Sequence, residues 1–318
     1  MSSKKTLSIV VLLFAATTAP ATFAAEPPIS VLTGGGNSVY YPLGTALGNA
    51  IGKEIAGVKT SVQTTKGSIE NLNMLESGRG DIAFALGDSL SDAWKGNEEA
   101  GFKTPLRKLR GIAALYPNYI QIVARTDSGI KSLADLKGKR ISVGASKSPV
   151  ELNARTILKA AGLNYKDFAK VEFLPFGESV ELIKERQIDA TLQTAAPGAS
   201  GLRDLATSVA VVVVPIPPDV VKKIDDSAYL PAMIPANTYR GQSTDVPVVA
   251  VQNYLVTREG VSDDTAYGVT KALWTHLDAL SAAHSAAKAI DIQRAIEGMP
   301  VPLHPGAEKY YKEVDVIK

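Results

Sequence analysis

Cysteine is absent from this 318-residue sequence, and histidine occurs only three times. Without cysteine the chain has no disulfides, no thiol nucleophile, no thiolate metal ligand and no acylated N-terminal cysteine. The three histidines, at positions 276, 284 and 304, show no metal-ligand spacing. We therefore predict neither a metal site nor a cofactor.

Long apolar segments are also scarce, and the one near the N-terminus is short. Lys4 and Lys5 precede an apolar core at residues 6–16, which is followed by small residues and a Thr22-Phe23-Ala24 cleavage pattern. A membrane anchor needs about 20 apolar residues. The pattern therefore predicts a secretory signal peptide, residues 1–24, cut after Ala24 or Ala25. Export without disulfides is typical of a bacterial periplasm.

An excess of charge of one sign is missing once this segment is removed. The full chain has 34 Lys and Arg residues against 32 Asp and Glu, and the segment removes two lysines but no acid. The mature chain is then formally neutral, which argues against a broad nucleic-acid or anionic-membrane surface. We predict no nucleic-acid partner, and any selectivity for charge must come from a local site.

What the sequence does contain is a regular alternation of β-rich and helical segments. Several strands, such as VAVVVVP at 209–215, are apolar on both faces, as buried parallel strands are. Candidate strands cover residues 29–33, 58–64, 81–86, 109–115, 119–125, 140–144, 170–174, 188–193, 209–215 and 248–257. The alternation predicts an α/β protein with mainly parallel sheets.

Helix signals separate these strands. Ser148 with Glu151 fits the capping box, and Pro149 occupies the favoured first helical position. Beyond the last predicted strand the alternation stops, and the pattern predicts one long helix at 262–283 and a second at about 285–298. No internal repeat or linker divides the chain, so we expect two interwoven lobes.

The segment TGGGNSVYYPLG, residues 33–44, places a glycine turn between a predicted strand and a predicted helix. A dinucleotide site would need a third spaced glycine and an acid after the second strand, where the chain has Val39 and Lys66. The turn and helix start still offer backbone N–H groups to a small anion. Four residues here are candidate ligand contacts: Asn37, Ser38, Tyr40 and Tyr41. A tight turn with packed tyrosines is the structural alternative.

Two further strand-to-helix junctions have the same character. The segments TTKGSIEN at 64–71 and GASKSPVE at 144–151 supply six more candidates: Lys66, Gly67, Ser68, Ser146, Lys147 and Ser148. The simpler alternative for each is a helix cap or a solvated side chain, although a capping serine leaves other donors free. Three such junctions, two with a lysine, predict a shared anion site at the carboxyl ends of strands.

Enzyme chemistry finds less support. Two Ser-x-x-Lys matches lack the motifs that accompany that mechanism, and no Gly-x-Ser-x-Gly elbow occurs. We therefore predict no catalytic residue. Asp88 follows the third strand, where it either contacts a ligand or caps the next helix. Gln193, at the end of a later strand, is a further candidate contact.

Five segments carry a family resemblance: TGGGNSVYYPLG, KGSIENLNMLESGRGDIAF, LRGIAALYPNYIQIVAR, SLADLKGKRISVG and PVPLHPGAEKYYKE. They occur in this order over nearly the whole mature chain. In these segments the chain resembles the TAXI family, the TRAP-associated extracytoplasmic immunogenic solute receptors of bacterial tripartite transporters. The Leu-Tyr-Pro and Pro-Leu-His-Pro-Gly-Ala stretches are the most specific.

The resemblance implies a type II periplasmic binding fold, in which two α/β lobes joined by two crossing strands hold a ligand in their cleft. Lobe I would comprise residues 26–119 and 256–318 and lobe II residues 120–255, with hinge strands at about 119–125 and 248–257. The resemblance also implies delivery of glutamate- or 2-oxoglutarate-class ligands to a TRAP-type membrane permease. We expect the protein to be a monomer.

Two departures from the family pattern fall inside the expected pocket. Asn37-Ser38 replaces the usual Gly-Gly or Ala-Gly, and the segment at 146–149 replaces the usual Gly-Ser-Gly-Thr. Because Lys66 and Lys147 come from different lobes, we predict a small organic dianion or acidic amino acid that bridges both. A sensor for a membrane kinase and a periplasmic enzyme on the same fold are the alternatives.

Overall fold

The computed structural model describes residues 28–36 and 38–318, so the predicted signal peptide and Asn37 lie outside the described residues. The strands are β1 (Ile29–Leu32), β2 (Thr60–Gln63), β3 (Ile82–Leu86), β4 (Leu109–Arg125), β5 (Arg140–Ser142), β6 (Lys170–Glu172), β7 (Ala190–Ala195), β8 (Val211–Val214), β9 (Tyr229–Ile234) and β10 (Val246–Arg258). The helices are α1 (Tyr40–Glu54), α2 (Ser68–Glu76), α3 (Gly87–Lys95), α4 (Pro149–Ala160), α5 (Phe176–Lys184), α6 (Ser200–Ser208), α7 (Pro218–Val221), α8 (Asp263–Thr275), α9 (Leu277–Ala283) and α10 (Pro305–Glu313). In the part described, no helix has the length and apolar character to cross a membrane.

The strands form one sheet in the order β2-β1-β3-β10-β4-β7-β5-β6, with β8 on β4 and β9 on β10. β1 pairs parallel with β2 and β3, and β5 pairs parallel with β6 and β7. The long strands β4 and β10 pair antiparallel with each other and with β3, β7, β8 and β9. The sheet is therefore mixed, and the expectation of mainly parallel pairing is wrong, because two long strands run through its centre against the others.

We call β1–β3 with their helices the first half of the molecule, and β5–β9 with theirs the second half. In each half, neighbouring residues of one strand belong to different apolar clusters: Phe84 and Ala85 in β3, and Val213 and Val214 in β8. Successive side chains of a strand point to opposite faces, so both faces of each half carry a core. Burial on both faces explains the continuous apolar runs of the sequence.

One expected break in the sheet does not occur. The candidate strands 109–115 and 119–125 form the single strand β4, although Pro117 lies between them. Pro117 has no N–H for the ladder, and it lies opposite Gln252, where the β4–β10 register shifts. The proline is tolerated at this irregularity, so β4 runs without interruption from the first half into the second.

The strand β9 is absent from the predicted set because Pro231 interrupts its apolar pattern. In the structure β9 pairs with β10 on one side, with Pro231 opposite Val249. A proline is acceptable in an edge strand, since its missing N–H can face away from the ladder. Pairing with β10 therefore forms a strand here, although a proline in the sequence usually indicates a turn.

The C-terminal helices are shorter than expected. The helix predicted at 262–283 is divided into α8 and α9 at His276. The helix predicted at 285–298 is wrong, because this segment forms two separate 3-10 turns. The Asp291 side chain accepts a hydrogen bond from the Gln293 N–H at 2.9 Å and so starts a new turn, which competes with continued α-helix.

Candidate ligand-binding site

Tyr40 is the member of the glycine segment that the fold ties to the centre of the sheet. It begins α1, stacks on Phe84 with ring centroids 5.3 Å apart, and donates from its hydroxyl to Asn253 Oδ1 at 2.6 Å. Burial raises the pKa of the Tyr40 hydroxyl well above its usual value, so it stays a neutral donor. Tyr41, the adjacent candidate, is 39% exposed. The two adjacent tyrosines therefore differ in environment: Tyr40 is held by contacts with the sheet, and Tyr41 is at the surface.

The glycine turn is packed against the Ser38 side chain. A Cβ on Gly34 would lie 2.7 Å from Ser38 Oγ, so a larger residue here would require the serine hydroxyl to move. The Ser38 N–H donates to the Gly35 carbonyl at 2.8 Å, whereas Ser38 Oγ is buried without a hydrogen-bond partner among the described residues. Since buried polar groups are ordinarily paired, this hydroxyl is a candidate ligand contact.

The second junction fixes one of its candidates and leaves another at the surface. Gly67 precedes α2 with φ 102°, a conformation that favours glycine. Ser68 is buried, and its Oγ accepts the Leu86 N–H at 3.0 Å, which ties α2 to the end of β3. Lys66 is exposed, and its ammonium forms no ion pair with another described residue. A cation is therefore available beside a fixed hydroxyl.

Asp88 links the two halves of the molecule. It is buried in the first turn of α3, where its carboxylate accepts the Ser89 N–H at 2.6 Å and also a hydrogen bond from Asn153 Nδ2 of α4. Burial raises the pKa of Asp88 to about 6, against the lowering effect of these two bonds, and the carboxylates of Asp92 and Asp226 add to the rise. Asp88 therefore accepts a hydrogen bond within the first turn of α3 and also connects the first half of the molecule to the second.

Asn153 extends this contact into the second half. Its Oδ1 accepts from Thr194 Oγ1 at 2.8 Å, and its Nδ2 lies 3.3 Å from the Tyr229 hydroxyl. Sequence reasoning missed all three residues. The one available signal was the place of Asn153 on the helix that Ser148 begins.

Further polar contacts join α3, and the 3-10 turn at Glu98–Ala100 that follows it, to the second half. Asp226 accepts from Ser91 Oγ at 2.7 Å and pairs with Lys95 at 3.0 Å, and Arg155 pairs with Glu99 at 3.2 Å. Glu99, Arg155 and Asp226 also line a cavity of about 220 Å³ between the halves. The described structure therefore holds its halves in direct polar contact.

A polar pair interrupts the apolar strand β10 where it passes between the halves. Asn253 Nδ2 donates to the Tyr116 carbonyl at 2.8 Å, which leaves its Oδ1 for Tyr40. Gln252 Nε2 reaches the Leu115 carbonyl at 3.4 Å, but Gln252 Oε1 is buried without a partner in the part of the chain described. The sequence signal for both was the Gln-Asn pair inside VPVVAVQNYLVT.

Gln193 lies in a second polar pair, on the other side of β4. It is buried in β7 opposite Gln121 of β4, and its Nε2 donates to Thr191 Oγ1 at 2.8 Å. Gln121 in turn accepts a hydrogen bond from the Tyr239 hydroxyl. Gln193 is thus held within the second half, near the ends of its strands.

The third junction is the least anchored. Ser148 caps α4 by accepting the Glu151 N–H at 3.2 Å, which confirms the predicted cap. Ser146 and Lys147 are exposed, and Lys147 has φ 59°. Both line a cavity of about 550 Å³ along α4, to which the first two junctions contribute no residue. The bridging of one ligand by Lys66 and Lys147 stays a prediction.

The most buried histidine has a structural place. His304 begins α10, where its Nδ1 accepts the Gly306 N–H at 3.2 Å and its Nε2 donates to the Val261 carbonyl at 3.0 Å. Burial lowers its pKa, which keeps the ring neutral. Among residues 28–36 and 38–318, no group of three His, Asp or Glu side chains is placed to hold a metal ion.

Three solved structures are similar to this chain over most of its length. The periplasmic aliphatic sulphonate binding protein SsuA from Escherichia coli is 15% identical, with a TM-score of 0.54 over 92% of this chain and 84% of that one. PhnD1 from Prochlorococcus marinus, in complex with methylphosphonate, is 13% identical, with a TM-score of 0.55 over 91% and 98%. MatC from Rhodopseudomonas palustris, with bound malate, is 12% identical, with a TM-score of 0.52 over 92% and 99%. The similarity establishes a type II-like periplasmic binding fold, as expected.

The sequence itself matches one family over most of the described residues. The profile of the NMT1-like family aligns with residues 31–314. Membership of the TAXI family, which the motifs predict, is a finer assignment that this match leaves as a prediction. The chain is therefore a member of the NMT1-like family and has the fold of periplasmic solute-binding proteins.

Proposed function

We propose that this protein is an exported receptor of the TAXI type, which captures a small organic anion in the periplasm and delivers it to a TRAP-type membrane permease. The observation that carries the proposal is a set of buried polar groups where the first-half strands meet β10. Tyr40, Ser68 and Asn253 are fixed there by hydrogen bonds, while Ser38 Oγ and Gln252 Oε1 have no partner among the described residues. Buried polar groups are ordinarily paired, so the two unpaired atoms are free to accept or donate a hydrogen bond to a small ligand.

The charges near the strand ends favour an anion. Lys66 and Lys147 each lie at the start of a helix, where the helix dipole also attracts negative charge, and neither pairs with a described carboxylate. The sulphonate, methylphosphonate and malate named for the three similar structures are all anions, which supports this class. A dicarboxylate or acidic amino acid, such as 2-oxoglutarate or glutamate, could reach both lysines.

We assign residues 26–119 and 256–318 to lobe I and residues 120–255 to lobe II, with the hinge at about 119–125 and 248–257. These hinge segments fall within β4 and β10, the two strands that run through both halves. The separate apolar clusters of β3 and β8 support the division. Hinge bending at two strands would close the lobes on a ligand, and the Asp88–Asn153 contact belongs to the closed form.

A receptor suits these residues better than an enzyme. The buried groups of the candidate site are amides, hydroxyls and one carboxyl, which suit hydrogen bonding to a ligand. His304, the most buried histidine, is held as a neutral helix cap. We therefore assign no residue a catalytic role.

Protein isolated from the periplasm tests the proposal. Mass spectrometry should show a mature chain beginning at Ala25 or Glu26, and native mass spectrometry should show any retained small molecule. Calorimetry should then detect binding of 2-oxoglutarate, glutamate or malate, at an affinity that Tyr40→Phe weakens and Tyr41→Phe leaves unchanged. An intact Met1 would contradict export, and failure of all three anions would contradict the ligand class.

A further inference from the structure

A second cavity lies along helix α4, and of the candidate contacts only Ser146 and Lys147 of the third junction line it. It has a volume of about 550 Å³ and lies between α4, the loop that follows it and the end of β6. None of Tyr40, Ser68, Asp88 or Asn253 lines it. Small-molecule pockets typically measure about 300–1,000 Å³, so this cavity has the size of a binding site of its own.

One wall of this cavity is apolar and aromatic. Leu158 and Leu163 contribute aliphatic surface, and Tyr165 and Phe173 meet edge to face with ring centroids 5.6 Å apart. Phe173 is 41% exposed, one of few large apolar side chains left open in the described part of the chain. The two rings form a corner that would bury the body of a planar apolar molecule.

The charges in the wall are unbalanced toward the positive. Glu151 is only 1% exposed; its charge is paired with Arg155 at 2.8 Å, and its carboxylate accepts a hydrogen bond from the Tyr165 hydroxyl at 2.7 Å. Lys147 and Lys159 are both exposed and pair with no described carboxylate. The cavity therefore offers free ammonium groups and no free carboxylate.

We propose that this cavity is a second binding site, specific for an anion with an aromatic body. The aromatic body packs on Tyr165 and Phe173, and the anionic group pairs with Lys159. Lys147 precedes α4, whereas Lys159 lies ten residues, or about 15 Å at 1.5 Å per residue, along the helix from Pro149, so we assign one small anionic group to only one of these lysines. Leu158, Leu163 and Lys159 all line the cavity, so it combines apolar surface with a free ammonium group.

The test uses anilinonaphthalene sulfonate, a fluorescent aromatic anion, and phenylnaphthylamine, a similar dye without charge, on the mature protein. Phe173→Ser should weaken binding of both dyes about tenfold. Lys159→Met should weaken only the anionic dye, by about fivefold at low salt, because the lysine is exposed to solvent. Neither residue belongs to the candidate ligand-binding site.

Two matched controls separate the site from general surface effects. Met233→Ser removes another exposed apolar side chain, and Lys103→Met removes another exposed lysine. Both controls should bind the dyes as the unaltered protein does, and all four variants should keep its melting temperature. The proposal is wrong if Phe173→Ser and Lys159→Met bind like the controls, or if Lys159→Met weakens the neutral dye as much as the anionic one.

Discussion

The strand-to-helix junctions of the two halves share one sequence signature but differ in how they are fixed. In the first half, Tyr40 is bonded to Asn253 of β10, and Ser68 is bonded to the end of β3. In the second half, Ser148 is fixed as a helix cap, while Ser146 and Lys147 are exposed. The signature predicts where a ligand can bind, but side chains are pre-oriented only where a neighbouring strand gives them buried partners.

This difference suggests unequal roles for the two halves. A side chain already held in place loses little conformational entropy when it binds, whereas an exposed lysine must be ordered. We therefore expect the first half to form the fixed side of the site and the second half to contribute on closure. The following changes test that inequality.

The largest effect is expected at Tyr40. Tyr40→Ala removes the stacking on Phe84 and leaves the Asn253 Oδ1 without its donor. Loss of a large aromatic side chain with a hydrogen bond should lower the free energy of unfolding by about 3–5 kcal/mol. Chemical denaturation followed by circular dichroism measures this change.

Tyr41→Ala is the matched control, because it removes the same side chain one position away at the surface. It should change the free energy of unfolding by less than about 0.5 kcal/mol. Equal effects of the two substitutions would show that the glycine segment is not anchored through Tyr40.

The next effect concerns the contact between the halves and depends on pH. The pKa of Asp88 rises from 3.8 to about 6 in the folded protein. Folding therefore favours the protonated form, so the penalty for ionised Asp88 is absent below about pH 4, grows as the pH rises to about 6, and is complete above that. A shift of about two units corresponds to about 3 kcal/mol.

Asp88→Asn cannot ionise and should lose this penalty. Its free energy of unfolding, measured in urea from pH 4 to pH 7.5, should increase relative to the unaltered protein by about 3 kcal/mol. Asp135→Asn is the control, since hydrogen bonding to Ser132 lowers the pKa of that carboxyl. The stability of Asp135→Asn relative to the unaltered protein should fall as the pH rises. If the stability difference for Asp88→Asn does not change with pH, the contact between the halves is not pH-dependent.

The sequence predicted the positions of the strand-to-helix junctions but not the distant residues that hold their side chains in place. The starts of α1, α2 and α4 follow from glycine, serine and proline at fixed offsets from apolar strands, and such signals are local. Asn253 and Asn153 act through contacts with residues 213 and 65 positions away in the chain. No local pattern encodes which helix approaches which strand, so these partners emerged only from the fold.

A smaller effect is expected from the two lysines, and it concerns ligand affinity. Lys66→Met and Lys147→Met should each weaken binding of 2-oxoglutarate about tenfold at low salt, because each removes one charge-assisted contact. The Lys66 change should be the larger, since Ser68 beside it is already fixed. Calorimetry at low and at physiological salt measures both.

Lys103→Met serves as the control for a general loss of positive charge. If both lysine variants bind 2-oxoglutarate as tightly as the control, the ligand is not held by two cations. The selectivity would then reside in Tyr40, Ser68 and the backbone donors of the first half.

The smallest effect concerns the backbone of the less anchored junction. Lys147 has φ 59°, a conformation that costs a side-chain-bearing residue about 1–2 kcal/mol. Glycine adopts this conformation without strain, but it also increases the conformational entropy of the unfolded protein, which partly offsets the gain. Lys147→Gly should therefore raise the free energy of unfolding by about 0.5 kcal/mol. Ser146→Gly, at a neighbouring exposed position without positive φ, should lower it slightly. If both substitutions destabilise the protein equally, the lysine side chain itself stabilises this turn, and the second-half junction is more firmly fixed than its exposure indicates.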